Sequence, residues 1–384
     1  MDNILKETKS RIIGLDIIRS VAILIVLYGH AGILLPTTVA KKYYEFLPQL
    51  DGVALFFVLS GFLIGLIFLK MIESSSFTIT DLLNFGMRRW FRTLPNYFLV
   101  LAILIGYRII IFHNTNGFSW NYVFFFQNFA WRQPGFFRES WSLSVEEWFY
   151  LLFPLVCFIF YKCLKNKFSA ILYTLLTFLI FPLLLRIIKY SFNIGSQDLG
   201  EDYNMIVVLR IDSLMYGIIA ACLYRYKRAL WIQYKLIALI AGLAVIIFME
   251  IDPKKWLQSY PPLYSNIQSI AILGLMPFFS ELKSTKNSMV DNLFVWISKL
   301  SYGLYLLNLT LMIRYIIPAV HNLIGWKYKS VELTYKTDYL IFWVGNLVGA
   351  YLIYSFYEKP TTNLRDRFKF SSRRKSISHG NDVL

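Results

Sequence analysis

The sequence predicts an all-α fold, namely a polytopic membrane helix bundle of about ten transmembrane helices with both termini in the cytoplasm. Hydrophobic residues make up 57% of the 384-residue chain and charged residues only 16%, so the chain is far more apolar than a typical soluble domain. The apolar residues also fall into runs of about 20, the length that a helix needs to cross the hydrocarbon core of a bilayer. Basic residues are unevenly distributed between the loops, and this asymmetry orients the bundle.

Ten apolar runs separated by polar breaks mark the candidate spans. They cover approximately residues 13–35, 53–71, 93–112, 142–161, 168–188, 204–224, 230–249, 264–281, 293–318 and 337–357. The first run follows basic residues, as a secretory signal does, but it is long enough to span and nine runs follow it, so we expect it to be retained. We assign residues 1–12 to a cytoplasmic N-terminus, 13–360 to one membrane domain and 361–384 to a basic cytoplasmic tail that we expect to be disordered.

The distribution of lysine and arginine sets the topology. With the N-terminus inside, roughly twice as many basic residues fall on the cytoplasmic side as on the outer side. This signal accounts for the net charge of +16, which in a soluble protein would suggest a nucleic-acid partner, and we expect none. The tail is predicted to contact anionic membrane lipids. The three cysteines fit no metal-binding spacing, so we expect neither a disulfide nor a bound metal.

Two ionisable residues share the first span. Arg19 and His30 are eleven residues apart, which places them on nearly one helical face and roughly 16 Å apart along the axis. An ionisable side chain in a membrane helix is costly and normally faces the bundle interior or a wet cavity. His30 is predicted to lie toward the outer end of this helix.

Further polar residues approach the membrane from the same outer side. Glu146 and Glu147 open the fourth span, and Arg210 and Asp212 open the sixth. We expect these groups to converge with His30 in a cluster suited to proton transfer, because like-charged carboxylates held together change their affinity for protons. Two simpler interpretations remain open. The glutamates could cap their helix, and Arg210 and Asp212 could pair only with each other.

Three arginines lie at the cytoplasmic end of the third span. Arg89 and Arg92 are three residues apart on one helical face, and Arg88 is beside them. Guanidinium groups bind phosphate with two parallel hydrogen bonds, so the group suits a phosphate-bearing ligand. The alternative is that these arginines serve only the topology. Arg19 lies between this site and His30.

These residues belong to motifs that occur in order across nearly the whole chain. The motifs are Leu15-Asp16 through Arg19 to His30, Phe56 to Phe62, Arg89-x-x-Arg92-x-x-Pro95, Trp141 to Tyr150 followed by Pro154, Arg210-x-Asp212-x-Leu214-x-x-Gly217, Ser301 to Leu306, and Glu358-x-Pro360. In this respect the chain resembles acyltransferase family 3, the integral-membrane O-acyltransferases that modify bacterial cell-surface glycans and some other acceptors.

The resemblance implies an enzyme of the bacterial inner membrane that moves an acyl group, usually acetyl, from cytoplasmic acyl-CoA to a hydroxyl on the outer side. It implies that His30 is essential, as general base or as acyl carrier, and that Arg19, Arg89 and Arg92 are important. From it and from the predicted topology we assign the following roles. Catalysis falls to His30, Glu146 and Glu147, acyl-CoA binding to Arg19, Arg88, Arg89 and Arg92, and binding of the glycan or glycolipid acceptor to Arg210, Asp212, Trp141 and Asp51.

The chain departs from the family pattern at several points. Asn308 stands where many relatives have histidine, and Ala54 stands at a position that is often acidic, with Asp51 close by. No hydrolase-like domain follows the last span, so we expect delivery within the membrane domain or by a separate periplasmic partner. The competing class is a transporter in which Arg19, His30, Glu146 and Asp212 form a relay. Transporters often contain inverted repeats, and the sequence has no such internal symmetry.

Overall fold

The computed structural model describes residues 11–39, 51–73, 77–192, 194, 199–323 and 330–364, and these residues form helices and connecting loops without a strand. The predicted N-terminal segment lies outside the described residues except for its last two positions. Of the predicted tail, residues 361–364 continue a helix and 365–384 lie outside the described residues.

Ten main helices account for most of the described chain. They are α1 (Ile13–Ala31), α2 (Gly52–Glu73), α3 (Ile79–Phe112), α4 (Ser140–Leu164), α5 (Lys167–Ser191), α6 (Asp212–Tyr226), α7 (Lys235–Ile251), α8 (Tyr264–Glu281), α9 (Ser288–Leu307) and α10 (Val331–Ile353). Helix α9 continues through a π-helical segment, Asn308–Ile316, into Ile317–Leu323. Helix α10 likewise continues through Tyr354–Glu358 to Leu364. Short helices Val207–Arg210 and Arg228–Gln233 flank α6.

Eight helices in the described part of the chain are long and apolar enough to cross a membrane. They correspond to the first six and the last two of the predicted spans, which confirms an all-α membrane bundle. The seventh and eighth predicted spans are also helices, but α7 has only 17 residues and α8 carries buried polar residues such as Gln268 and Ser269. The count of ten spans and the orientation of the termini stay predictions.

Close contacts between small residues hold the centre of the bundle together. Helices α2 and α6 cross where Gly61 faces Leu214 and Gly217 faces Val58. A methyl group added at Gly217 would lie 2.2 Å from the Val58 carbonyl oxygen, so only glycine permits this approach. Such small-residue crossings are the usual way in which membrane helices pack, because lipid gives no hydrophobic drive for association.

Helix α3 begins earlier than the predicted third span. Thr78 caps it, because the Thr78 side chain accepts from the Asp81 backbone while the Asp81 carboxylate accepts from the Thr78 backbone. The helix has 34 residues, which corresponds to roughly 50 Å and exceeds the hydrocarbon thickness of a bilayer. The helix is therefore longer than the membrane core, and its arginines lie within a continuous helix rather than before it.

Candidate active site

A small cavity of about 100 Å³, which we call the inner cavity, lies inside the bundle. Side chains from α1, α2, α3, α4 and α9 line it. Its polar lining residues are Arg19, Ser60, Arg89, Arg92, Thr93, Ser142, Glu146, Tyr150, Ser301, Tyr302 and Tyr305. The cavity thus brings together three guanidinium groups from two helices that are far apart in sequence. Such a concentration of positive charge suits an anionic ligand.

Arg88 does not share this position, contrary to its assignment with the other arginines. It is exposed and does not line the inner cavity, whereas Arg89 and Arg92 do. Successive residues on a helix point about 100° apart, so Arg88 is directed away from the face that Arg89 and Arg92 present. The structure therefore separates the three arginines into a cavity pair and one exposed residue.

The two glutamates of α4 lie at the level of the inner cavity. The Glu146 carboxylate accepts hydrogen bonds from Tyr150 at 2.8 Å and from Ser60 at 3.2 Å. Glu147 is 7% exposed and accepts from Thr93 Oγ1 at 2.6 Å. Both residues are held by hydroxyl groups inside the bundle and do not cap the helix.

The predicted convergence of these glutamates with His30 is wrong. Helix α4 begins at Ser140, so Glu146 lies roughly 9 Å further along the helix axis. His30 is in the last turn of α1 and lines a different cavity. Glu146 therefore shares the inner cavity with Arg19, Arg89 and Arg92, whereas Glu147 bonds to the cavity residue Thr93 and lines neither cavity.

A larger cavity of about 1000 Å³, which we call the outer cavity from the predicted topology, contains His30. Its polar lining residues are His30, Asp51, Gln133, Arg138, Glu139, Trp141, Glu201, Asn204, Tyr305, Thr310 and Arg314. Two of the residues assigned to the acceptor, Trp141 and Asp51, are among them. An indole face next to several hydrogen-bonding groups is a surface that a sugar can occupy.

The two cavities adjoin each other. Val53 and Tyr305 line both of them, so these two side chains form the partition. The Tyr305 hydroxyl lies 2.6 Å from the Ser142 hydroxyl and donates to the Glu139 backbone carbonyl at 3.1 Å. Tyr305 is thereby anchored to the start of α4, on the boundary between the arginine-lined space and the space that contains His30.

His30 makes a side-chain hydrogen bond across the bundle. Its Nδ1 atom pairs with Oδ1 of Asn308, the first residue of the π-helical segment. The Asn308 amide nitrogen donates to the backbone carbonyls of Leu304 at 3.0 Å and Tyr305 at 2.7 Å. The imidazole is therefore held by a neutral amide rather than by a carboxylate.

Glu139 is a buried outer-cavity residue that sequence reasoning missed. It is 2% exposed, and its carboxylate accepts from the Thr310 backbone N–H at 2.6 Å and from the Thr310 hydroxyl. Burial raises the pKa of Glu139 to about 7, although the hydrogen bonds from Thr310 act in the opposite direction. The available signal was an acidic residue directly before Ser140, where the chain turns into the fourth span.

Arg210 and Asp212 do not pair with each other, because residues two positions apart on a helix do not face each other. Arg210 is fully buried and pairs with Asp51 at 3.0 Å. Asp212 is fully buried and pairs with Arg186 at 2.6 Å, and Asn266 also bonds to both partners. Neither Arg210 nor Asp212 lines the outer cavity, in contrast to Trp141 and Asp51. Arg210 instead holds Asp51 at the cavity wall.

Comparison with known proteins identifies a family whose sequence pattern covers most of the chain. The acyltransferase 3 profile, described as "Acyltransferase domain", matches residues 12–355. Peptidoglycan O-acetyltransferase OatA of Listeria monocytogenes is 31% identical over 132 residues, which are 30% of this chain and 21% of that protein. O-acetyltransferase OatA of Staphylococcus aureus is 27% identical over 288 residues, which are 66% of this chain and 44% of that protein.

An uncharacterized protein of Haemophilus influenzae is 28% identical over 212 residues, which cover 51% of this chain and 84% of that protein. No solved structure matches the chain. The matches span less than half the length of the two O-acetyltransferases. The family match, in contrast, covers nearly the whole membrane bundle, and the chain belongs to the acyltransferase 3 family.

Proposed function

We propose that this protein is a membrane O-acetyltransferase of the bacterial inner membrane. It takes an acetyl or related acyl group from cytoplasmic acyl-CoA and transfers it to a hydroxyl of a cell-surface polysaccharide or of its lipid-linked precursor. The observation that carries the proposal is that two adjoining cavities are separated only by side chains that line both of them. One cavity contains three guanidinium groups, the adjoining cavity contains His30, and Val53 and Tyr305 separate them.

The inner cavity supports the assignment of the donor. The CoA phosphates are anionic and suit Arg89 and Arg92, which are on the predicted cytoplasmic part of α3. Arg19 is farther into the bundle, roughly 16 Å from His30 along α1. The same cavity is lined by Val53 and Tyr305, so a thioester arm that extends from phosphates held at the arginines would reach the partition.

The outer cavity supports the assignment of the acceptor. It is the larger of the two spaces, and Trp141, Asp51 and Gln133 offer an aromatic face with donors and acceptors for hydroxyl groups. The names of the two O-acetyltransferase relatives support a glycan acceptor, and one of them is named for peptidoglycan. A separate periplasmic partner for delivery remains part of the proposal.

The chemistry follows from the position of His30. The neutral imidazole removes the proton of the acceptor hydroxyl while the hydroxyl oxygen attacks the thioester carbonyl. The carbon–sulfur bond then breaks, CoA leaves as a thiolate, and the imidazolium returns the proton to sulfur. General-base catalysis is the favoured route. The second route is an acyl-histidine intermediate, in which the imidazole nitrogen that would otherwise accept the proton attacks the thioester instead.

The proposal is tested by measuring O-acetyl groups on surface glycan by mass spectrometry in cells that lack the gene. Wild-type protein is expected to restore the acetylation, and His30→Ala is expected to abolish it. His321→Ala is the matched control, because His321 pairs with Asp338 at 2.6 Å and lines neither cavity. Equal acetylation by the wild-type and His30→Ala proteins would contradict the proposed function.

A further inference from the structure

The Asn308 side chain has only one orientation that satisfies its surroundings. The residue is fully buried, and both hydrogens of its amide nitrogen are used by the carbonyls of Leu304 and Tyr305. An asparagine amide has two donors on nitrogen and acceptor lone pairs on oxygen. With both donors engaged, the atom that faces His30 is Oδ1, which can only accept a hydrogen bond.

This orientation decides which nitrogen of His30 carries the proton. A neutral imidazole has one N–H donor and one bare nitrogen, and the partner of one nitrogen selects the tautomer. Because Asn308 Oδ1 is an acceptor, Nδ1 of His30 has to be the donor. We infer that Asn308 is a positioning residue that holds His30 as the Nδ1–H tautomer and leaves the Nε2 lone pair for the acceptor hydroxyl. The inference rests on the proposed function for the use of that lone pair.

The local backbone explains why an asparagine can serve here. Residue 308 begins a π-helical segment, in which backbone hydrogen bonds reach one residue further back than in an α-helix. The Asn308 side chain supplies donors to two backbone carbonyls, at positions three and four residues earlier. The amide is therefore fixed by the helix before it contacts the imidazole.

A second contact fastens the same segment. Glu139, in the chain that leads into α4, accepts from both the backbone N–H and the hydroxyl of Thr310. The Thr310 hydroxyl in turn accepts from the Arg138 backbone N–H at 3.1 Å. Because Thr310 is two residues from Asn308, these hydrogen bonds limit movement of the π-helical segment that contains the Asn308 side chain. The π-helical segment that contains Asn308 is thus held at the wall of the outer cavity, and its amide orients His30.

The tautomer can be observed directly in the intact protein. The chain has four histidines, so nitrogen-15 labelling of histidine in protein reconstituted into phospholipid nanodiscs gives few imidazole signals, and His30→Ala identifies those of His30. We expect protonated Nδ1 and unprotonated Nε2 in the wild-type protein. The opposite tautomer in the wild-type protein overturns the inference without any substitution at position 308, and independently of whether the protein transfers acetyl groups.

Asn308→Leu tests the dependence on the amide, because leucine has a similar volume and no acceptor. We expect the variant to lose the preference for the Nδ1–H form and to release CoA from acetyl-CoA at least tenfold more slowly in glycan-bearing membrane vesicles, with KM for acetyl-CoA unchanged. Asn346→Leu is the matched control, since Asn346 is equally buried but bonds to the Phe342 carbonyl on α10. An unchanged His30 tautomer in Asn308→Leu contradicts the inference, and so does an equal loss of activity in Asn346→Leu. Absence of CoA release by the wild-type protein would instead count against the proposed function.

Discussion

The inner and outer cavities differ in how the chain builds them. Helices line the inner cavity, and its charged residues sit in the middle of α1, α3 and α4. The outer cavity also draws on loops and helix ends, such as residues 133–139, 200–205 and the π-helical segment. Packed helices hold side chains in a fixed geometry, whereas loops vary more readily in sequence and length. This difference fits our proposal that the inner cavity binds the acyl donor and the outer cavity binds the acceptor.

The cavities also differ in the partners of their ionisable groups. In the inner cavity Glu146 is held by two hydroxyl groups next to three guanidinium groups. In the outer cavity His30 is paired with the neutral amide of Asn308. Three guanidinium groups and one carboxylate therefore lie where we propose that phosphate binds, and the imidazole has a neutral partner where we propose that a proton is transferred.

The strongest test of this division is removal of the inner-cavity arginines. For the double variant Arg89→Ala/Arg92→Ala we expect KM for acetyl-CoA to rise about a thousandfold, because each charged hydrogen bond contributes about 2 kcal/mol. The measurement is CoA release at varied acetyl-CoA in membrane vesicles. Arg88→Ala is the control, since this exposed neighbour lies off the cavity, and a comparable rise in that variant would show that the effect is only one of surface charge.

A second test uses the pH dependence of stability on the outer-cavity side. The pKa of Glu139 is raised to about 7, so the folded state binds this proton more tightly than the unfolded state does. The contribution of Glu139 to the free energy of unfolding is therefore complete below about pH 4.5. It is lost as the pH rises through 7, and the free energy of unfolding falls by about 3 kcal/mol. We expect Tm in detergent to fall over this interval and the fall to be smaller in Glu139→Gln. A Glu332→Gln control replaces an exposed carboxylate, and equal flattening in both variants would contradict the assignment to Glu139.

The smallest expected effect concerns the partition between the cavities. Tyr305→Phe keeps the ring and removes the hydroxyl that contacts Ser142 and the Glu139 carbonyl. We expect acetyl transfer to slow about fivefold, since one net hydrogen bond contributes about 1 kcal/mol, with little change in KM. The measurement is CoA release beside that of Tyr315→Phe, which alters a buried tyrosine on the same helix away from the partition. Faster hydrolysis of acetyl-CoA without acceptor would indicate that the hydroxyl also closes the partition to water.

Much of the fold could be predicted because each span carries its own signal. Runs such as 53–71 and 168–188 are helices close to the predicted bounds, since an apolar run in lipid has to satisfy its backbone within itself. The start of α3 was predicted least well, because polar residues extend this helix back from the predicted start at residue 93 to Ile79. Helix α8 has the predicted bounds, although it is not among the eight helices of the described chain that are apolar and long enough to span. Hydropathy marks the lipid-facing length of a helix and gives no end point for its continuation into water.

The site was predictable in composition but less so in arrangement. Arg89 and Arg92 line one cavity, and His30, Trp141 and Asp51 line the other. The predicted topology put Arg19 between the two sites, whereas its side chain lines the cavity of Arg89 and Arg92. The prediction that Glu146 and Glu147 lie beside His30 was wrong. Topology gives the membrane side from which a helix starts, but it does not give how far into the bundle each residue of that helix lies. Arg186, the partner of Asp212, was missed because a contact between distant segments leaves no local pattern. The position of Glu139 before Ser140 was a local signal, but it does not indicate the contact with Thr310.

The sequence by itself determined a polytopic helical membrane protein, the family to which it belongs and the residue types available for binding and proton transfer. These properties depend on composition, periodicity and ordered motifs, which are local in the chain. Only the tertiary structure decided that Arg210 holds Asp51, that Asn308 holds His30 and that Tyr305 stands between two cavities. Those pairings depend on how each helix is rotated about its axis and how far it is shifted along that axis relative to its neighbours. Contacts with all the adjacent helices fix these two quantities, so they cannot be read from one helix alone.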